Sequence, residues 1–95
     1  MYKLGTTKRF DKALKLCQKR GYPIENLQNA ISLLVENGML PSESKPHILH
    51  GNHEGEWEAH IESDWLLIWE QNDTELTLLM LTTGTNSDLF GKTKR

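Results

Sequence analysis

Beyond Thr7 the apolar residues Phe10, Ala13, Leu14 and Cys17 recur at i, i+3, i+4 and i+7, the buried stripe of one α-helix. Thr6 or Thr7 can cap its start, a hydroxyl accepting from an otherwise unpaired backbone N–H. Gly21 suits the left-handed residue that follows a helix, and Pro23 lies two residues beyond it. A second stripe, Leu27, Ala30/Ile31 and Leu34, predicts a helix from about Ile24 to Asn37 that stops at Gly38. Two amphipathic helices joined by Gly-Tyr-Pro form a helical hairpin. Tyr2-Lys3-Leu4, ahead of them, reads as a short strand ended by Gly5.

The period then changes. Residues 41–55 hold two prolines, two glycines, two serines and three histidines without helical or strand repetition, which predicts a long loop with a short strand near 47–49. From Glu56 the alternation is two: Trp57, Ala59 and Ile61 point one way, and Glu56, Glu58, His60 and Glu62 the other. Ser63-Asp64 is turn chemistry, Trp65–Glu70 is strand again, Asn72-Asp73 turns, and a strand covers about 75–82. A loop over 83–87 leads into Asp88-Leu89-Phe90, and the last residues are expected to fray. Both faces of Trp65–Trp69 are apolar, so that strand belongs in the middle of its sheet. The expected order is β-α-α-β-β-β, an α+β class in which a two-helix hairpin packs on a small, mostly antiparallel sheet. Residues 1–95 are expected to form one domain.

Composition narrows the class. Apolar residues make up 37% of the 95, enough for a single core, and charged residues make up 25%, which argues against disorder. The longest apolar run, Trp65-Leu66-Leu67-Ile68-Trp69, is too short for a membrane span or a secretory signal, so no membrane partner is expected. A single cysteine, Cys17, forms no internal disulfide, and a reducing cytoplasm is the default location. The net charge of −2 conceals an uneven distribution. Residues 1–40 carry seven Lys/Arg against three Asp/Glu, residues 41–75 one against nine, and residues 76–95 three against one. An acidic middle argues against loose coating of a polyanion, while the two ends could still meet nucleic acid.

Three sets of residues are candidates for chemistry. Lys8, Lys12, Lys15 and Lys19 stand at i, i+4, i+7 and i+11 on the first helix, with Arg9 and Arg20 beside them. Such a strip can follow a phosphate backbone by counterion release or dock an acidic partner, though spacing alone favours a solvated face. His47, His50, His53 and His60 fall within fourteen residues, but a loop containing Gly51, Asn52 and Gly55 is a poor frame for ligands. His50 and His53 read as surface histidines, and no metal site is assigned. The third set is sharper. A hairpin through Ser63-Asp64 should bring His60 near Trp65 with Asp64 at the same rim, pairing an imidazole that titrates near neutrality with a carboxylate. On geometry alone a structural rim contact explains that pair at least as well.

Three blocks carry a family resemblance: Pro46-His47-Ile48-Leu49-His50-Gly51, Glu58-Ala59-His60-Ile61-Glu62-Ser63-Asp64-Trp65-Leu66-Leu67-Ile68, and Thr83-Gly84-Thr85-Asn86-Ser87-Asp88-Leu89-Phe90. In order and spacing they resemble the YafQ branch of the RelE/ParE bacterial toxins, over nearly the whole chain. The resemblance implies the β-α-α-β-β-β fold and the toxin role of a type II toxin–antitoxin pair, one that enters the ribosomal A site and cuts bound mRNA. In that endoribonuclease chemistry a ribose 2′-hydroxyl attacks the adjacent phosphate and an acid protonates the leaving 5′ oxygen, with no metal or other cofactor required. His47, His60 and Asp64 match family catalytic positions, with one histidine as base, the other as acid, and Asp64 orienting one of them. Trp65 and Phe90 match neighbouring substrate-binding positions, where an aromatic could stack on a splayed base.

Two residues depart from the family pattern. Thr82 stands where the family has arginine in the last strand, and Asn86 where it has the final-loop histidine that is the family's general acid. Threonine offers one neutral hydroxyl in place of a charged fork of donors, and asparagine cannot release a proton near neutral pH. A slowed enzyme is one expected consequence, since Lys92, Lys94 or Arg95 replaces the charge only if the tail folds back. A catalytically silent homologue that mainly binds its antitoxin is the alternative, and gyrase inhibition is a third role that would leave His47, His60 and Asp64 unexplained. The implied partners are a cognate antitoxin, expected to be of ribbon-helix-helix type, together with the ribosome and mRNA. Lys8, Arg9, Lys12, Lys15 and Lys19 are expected to meet ribosomal RNA or acidic antitoxin residues.

Overall fold

The computed structural model describes residues 1–51 and 55–91. His53, and Lys92, Lys94 and Arg95 with the expected fraying of the tail, lie outside the described residues. The elements are β1 (Lys3–Thr6), α1 (Lys8–Lys19), α2 (Ile24–Asn37), a single 3₁₀ turn at Ser42–Ser44, β2 (His47–Ile48), β3 (Trp57–Glu62), β4 (Trp65–Asn72), β5 (Thr77–Gly84) and α3 (Asn86–Phe90). Both long helices begin and end where the sequence placed them. The Thr7 hydroxyl accepts from the Phe10 N–H at the start of α1. Gly38 closes α2 in the left-handed conformation, its N–H donating to the Leu34 carbonyl.

The five strands lie in the order β1-β5-β4-β3-β2. Every neighbouring pair is antiparallel except β1 with β5, which run parallel from Lys3 opposite Thr77 to Thr6 opposite Met80. β4 is the middle strand, as its doubly apolar sequence requires: Trp65 through Trp69 are all buried. One face packs Trp65, Leu67, Trp69, Leu78 and Met80 against Phe10, Cys17, Leu27 and Leu34 of the helices. Burial of that kind stabilises the chain by about 1.5–3 kcal/mol for each large apolar side chain. Trp57 stacks on Trp69, its register partner, with centroids 5.9 Å apart and an interplanar angle of 15°. Among the described residues no helix is long and apolar enough to cross a membrane.

Three boundaries differ from the sequence expectation. The turn after β4 occupies four residues rather than two, because the Asn72 side chain accepts from the N–H groups of both Thr74 and Glu75. Leu76 then takes a positive φ of 57° and falls outside the strand. β5 runs on to Gly84, and the expected loop after it is shortened by α3, which a capping box between Thr85 and Asp88 begins.

Candidate active site

Register builds the site across the face turned away from α1 and α2. His47 stands opposite Glu58, Glu58 opposite Ile68, and Ile68 opposite Thr82, so these four form one row across β2, β3, β4 and β5. A neighbouring row runs from His60 through Leu66 to Gly84. Strict alternation in β3 puts His60 on the same side as Glu58, two residues along. Adjacent strands are separated by about 4.8 Å, so His47, Glu58 and His60 are near neighbours, while Thr82 lies roughly 10 Å from Glu58 across a buried floor of Leu66 and Ile68.

The two imidazoles are held by different partners. His60 Nδ1 lies 3.3 Å from the Ser63 carbonyl oxygen, which only accepts, so the hydrogen belongs on Nδ1 and the lone pair of the neutral ring on Nε2. His47 faces oxygen on both sides, with Nδ1 2.9 Å from the Lys45 carbonyl and Nε2 3.1 Å from Glu58 Oε1. A ring with a hydrogen on each nitrogen would donate to both. Glu58 is only 8% exposed, and a carboxylate so covered requires a partner, which His47 supplies. His60 also lines a hollow with Glu43, Ser44, Lys45, Ile61, Glu62 and Ser63. Lys45 thus touches both halves of the arrangement, its carbonyl on His47 and its residue in the wall beside His60.

Other expected site residues stand differently. A bulge between His60 and Glu62 shifts the hairpin, so His60 faces Leu66, and Trp65 is opposite Glu62 instead. Trp65 is 3% exposed on the helix side of the sheet, its indole N–H donating to the Thr83 hydroxyl and its ring meeting Tyr22 edge-on. Its ring is thus covered by the helix layer. Among the described residues Asp64 bonds to Asn86 rather than to a histidine. Its Oδ1 accepts from the backbone N–H of Asn86 at 3.3 Å and from the Asn86 amide at 3.4 Å, joining the hairpin tip to α3. Thr82 is 3% exposed in its row, and Phe90 is half-buried at the end of α3.

Glu58 is the member sequence inspection missed. The alternation of β3 assigned it to a solvated face, and only the pairing of the two-residue β2 reveals that His47 covers it. Lys8, Arg9, Lys12, Lys15 and Lys19 are exposed along α1 as expected. Arg20 is drawn off to Asp88, 2.6 Å and 3.1 Å away at its two nitrogens, and the guanidinium holds the Asp88 carboxyl down at about 2. At the opposite end of the sheet Tyr2 and Gln71 both donate to Asp73, and the Tyr2 hydroxyl foremost keeps that carboxyl below its ordinary range. Among the described residues no three His, Cys, Asp or Glu side chains converge as a metal site would require.

Residues 2–91 match the family described as the bacterial toxin of the type II toxin–antitoxin system, YafQ. The chain is 39% identical over 83 residues to the mRNA interferase toxin YafQ of Escherichia coli K12, covering 86% of this chain and 88% of that protein. The crystal structure of YafQ from E. coli BL21(DE3) superposes with a TM-score of 0.88 at 35% identity, covering 96% of this chain and all of the other. YafQ in the E. coli DinJ–YafQ toxin–antitoxin complex gives a TM-score of 0.86 at 35% identity, with 95% and 98% of the two chains covered.

Proposed function

This chain belongs to the YafQ family of bacterial type II toxins, and from that premise we propose how it works as an mRNA interferase. It is an endoribonuclease that acts on mRNA in the ribosomal A site, in the cytoplasm, and is restrained by a cognate antitoxin of ribbon-helix-helix type. The observation that carries the assignment of roles is the unequal bonding of the two histidines on one face of the sheet.

His60, with its hydrogen fixed on Nδ1 by the Ser63 carbonyl, presents Nε2 as the base that takes the 2′-hydroxyl proton. The freed oxygen attacks the adjacent phosphorus, the P–O5′ bond breaks, and the products are a 2′,3′-cyclic phosphate and a new 5′-hydroxyl. His47, placed between the Lys45 carbonyl and Glu58, takes the role of the acid that gives a proton to the departing oxygen. Glu58 orients His47, the task first expected of Asp64. Asp64 instead holds Asn86 and, through it, the start of α3. With Thr82 in the arginine position and Asn86 in that of the final-loop histidine, turnover is slower than the family pattern would give.

Purified chain added to ribosomes carrying a defined mRNA should cut that message in the A site and leave the same RNA intact when ribosomes are omitted. Growth should stop when the chain is expressed without antitoxin. Normal growth together with tight antitoxin binding would instead establish the silent homologue. The buried Thr82 is the observation on that side, since its hydroxyl sits where a charged group would have to reach solvent. The half-buried Leu79 and Leu81 of β5, on the face away from α1, offer apolar surface for an antitoxin helix.

The exposed lysines of α1 are assigned to ribosomal RNA. Changing Lys8, Lys12 and Lys15 together to glutamate should weaken ribosome association and flatten its dependence on salt, because fewer counterions are released on binding. Sedimentation with ribosomes over a range of potassium concentrations measures both. An unchanged slope would return that face to plain solvent.

A further inference from the structure

We propose that Arg20 and Asp88 form a clamp that sets the position of α3, which makes Arg20 a positioning residue for mRNA cleavage. The inference rests on the nuclease assignment above. α3 spans five residues, too few to hold helical structure or orientation without outside anchors. Yet it carries Asn86, which reaches Asp64 at the hairpin tip, and Phe90. Its attachment therefore decides where two residues of the candidate site stand.

The anchor is bidentate. Arg20 Nη1 donates to Asp88 Oδ2 at 2.6 Å and Nη2 to Oδ1 at 3.1 Å, a two-bond fork that a lysine cannot make. The same carboxylate closes the capping box, Oδ2 accepting from the Thr85 N–H at 2.9 Å. One side chain thus starts the helix and ties it to the C-terminal end of α1. Gly84 leaves room for this, since a Cβ at that position would stand 2.9 Å from Asp88 Oδ2. Arg20 is braced in turn by Tyr22, whose ring lies 5.9 Å below the guanidinium and meets Trp65 edge-on at 5.0 Å. Tyr22, Asp64, Trp65 and Thr85 line one shared hollow, so the clamp and the hairpin tip are parts of the same corner.

The test compares wild type with Arg20→Gln, Arg20→Lys and Gly84→Ala, using ribosome-dependent cleavage and amide hydrogen exchange. Arg20→Gln leaves the capping box intact. It should speed exchange at Leu89 and Gly91, whose N–H groups bond within α3, by about 10-fold while the amides of β4 keep their protection. It should lower kcat by about 10-fold and leave KM for programmed ribosomes within about twofold. Gly84→Ala, which presses on the same carboxylate from the other side, should reproduce both changes. Arg20→Lys should recover only part of kcat.

A direct RNA contact by Arg20 predicts the opposite pattern. The loss would then fall in KM, shrink as salt is raised, and be made good by lysine, and that result overturns the clamp. Unchanged exchange at Leu89 and Gly91 in Arg20→Gln also overturns it, whatever the activity. A wild-type chain that cuts no mRNA would remove the nuclease assignment and leave the exchange comparison to decide the clamp.

Discussion

Changing both His47 and His60 to alanine should reduce ribosome-dependent mRNA cleavage at least about 10³-fold while the fold persists. General acid and base groups contribute about 10²–10⁴-fold each, and groups that act on one proton path do not add independently, so the double variant should fall only modestly below the worse single one. Both rings lie at the surface of the sheet, His47 exposed and His60 half-buried, so their removal costs little core packing. The two single variants should differ in character. His60→Ala removes the base and should flatten the acid limb of the rate profile. His47→Ala leaves Glu58 with its covered carboxylate unpaired, so it should also lose stability, by about 1–3 kcal/mol. Single-turnover cleavage across pH, beside thermal unfolding, resolves these effects. A double variant that cuts at the wild-type rate would discard both assignments.

The second large effect runs the other way. Asn86→His should raise the cleavage rate by about 10²-fold, the lower end of what a well-placed acid contributes. The site is prepared for it. The Asn86 amide already lies 3.4 Å from Asp64 Oδ1, so an imidazole there would stand beside a carboxylate that favours its charged, proton-bearing form. The variant's rate should also gain a basic limb, falling as the new histidine loses its proton. Thr82→Arg alone should do less, since position 82 is almost wholly covered and a guanidinium must thread past Ile68 and its neighbours to reach a phosphate. Multiple-turnover kinetics on programmed ribosomes decide the matter. If Asn86→His brings no gain, α3 does not deliver its first residue to the scissile bond.

How far the sequence could be read depended on the range of each interaction. Helix stripes are local, and Phe10, Cys17, Leu27 and Leu34 are all buried where the 3.6-residue period put them. The apolar run at Trp65–Trp69 marked the central strand for the same reason: its composition alone requires cover on both faces. What no local pattern contains is register. The pairing of β2 with β3, two residues long, turned Glu58 from a solvated glutamate into the partner of His47. A bulge of one residue after His60 sent Trp65 away from it and into the core. Asp64 was legible as a functional-looking carboxylate beside a histidine, but its partner, Asn86, approaches from an element the sequence had read as loop. Arg20 looked like one more cation on a basic helix, because its partner, Asp88, lies in that same distant segment.

The parallel pairing of β1 with β5 carries a consequence for synthesis. The strand made first hydrogen-bonds to one made near the end of the described chain. Until residues 77–84 have left the exit tunnel, β1 has no neighbour, β4 lacks one edge, and α1 has little of its floor to settle on. No shorter nascent chain can therefore assemble the row from His47 to Thr82, because β5 supplies its last member.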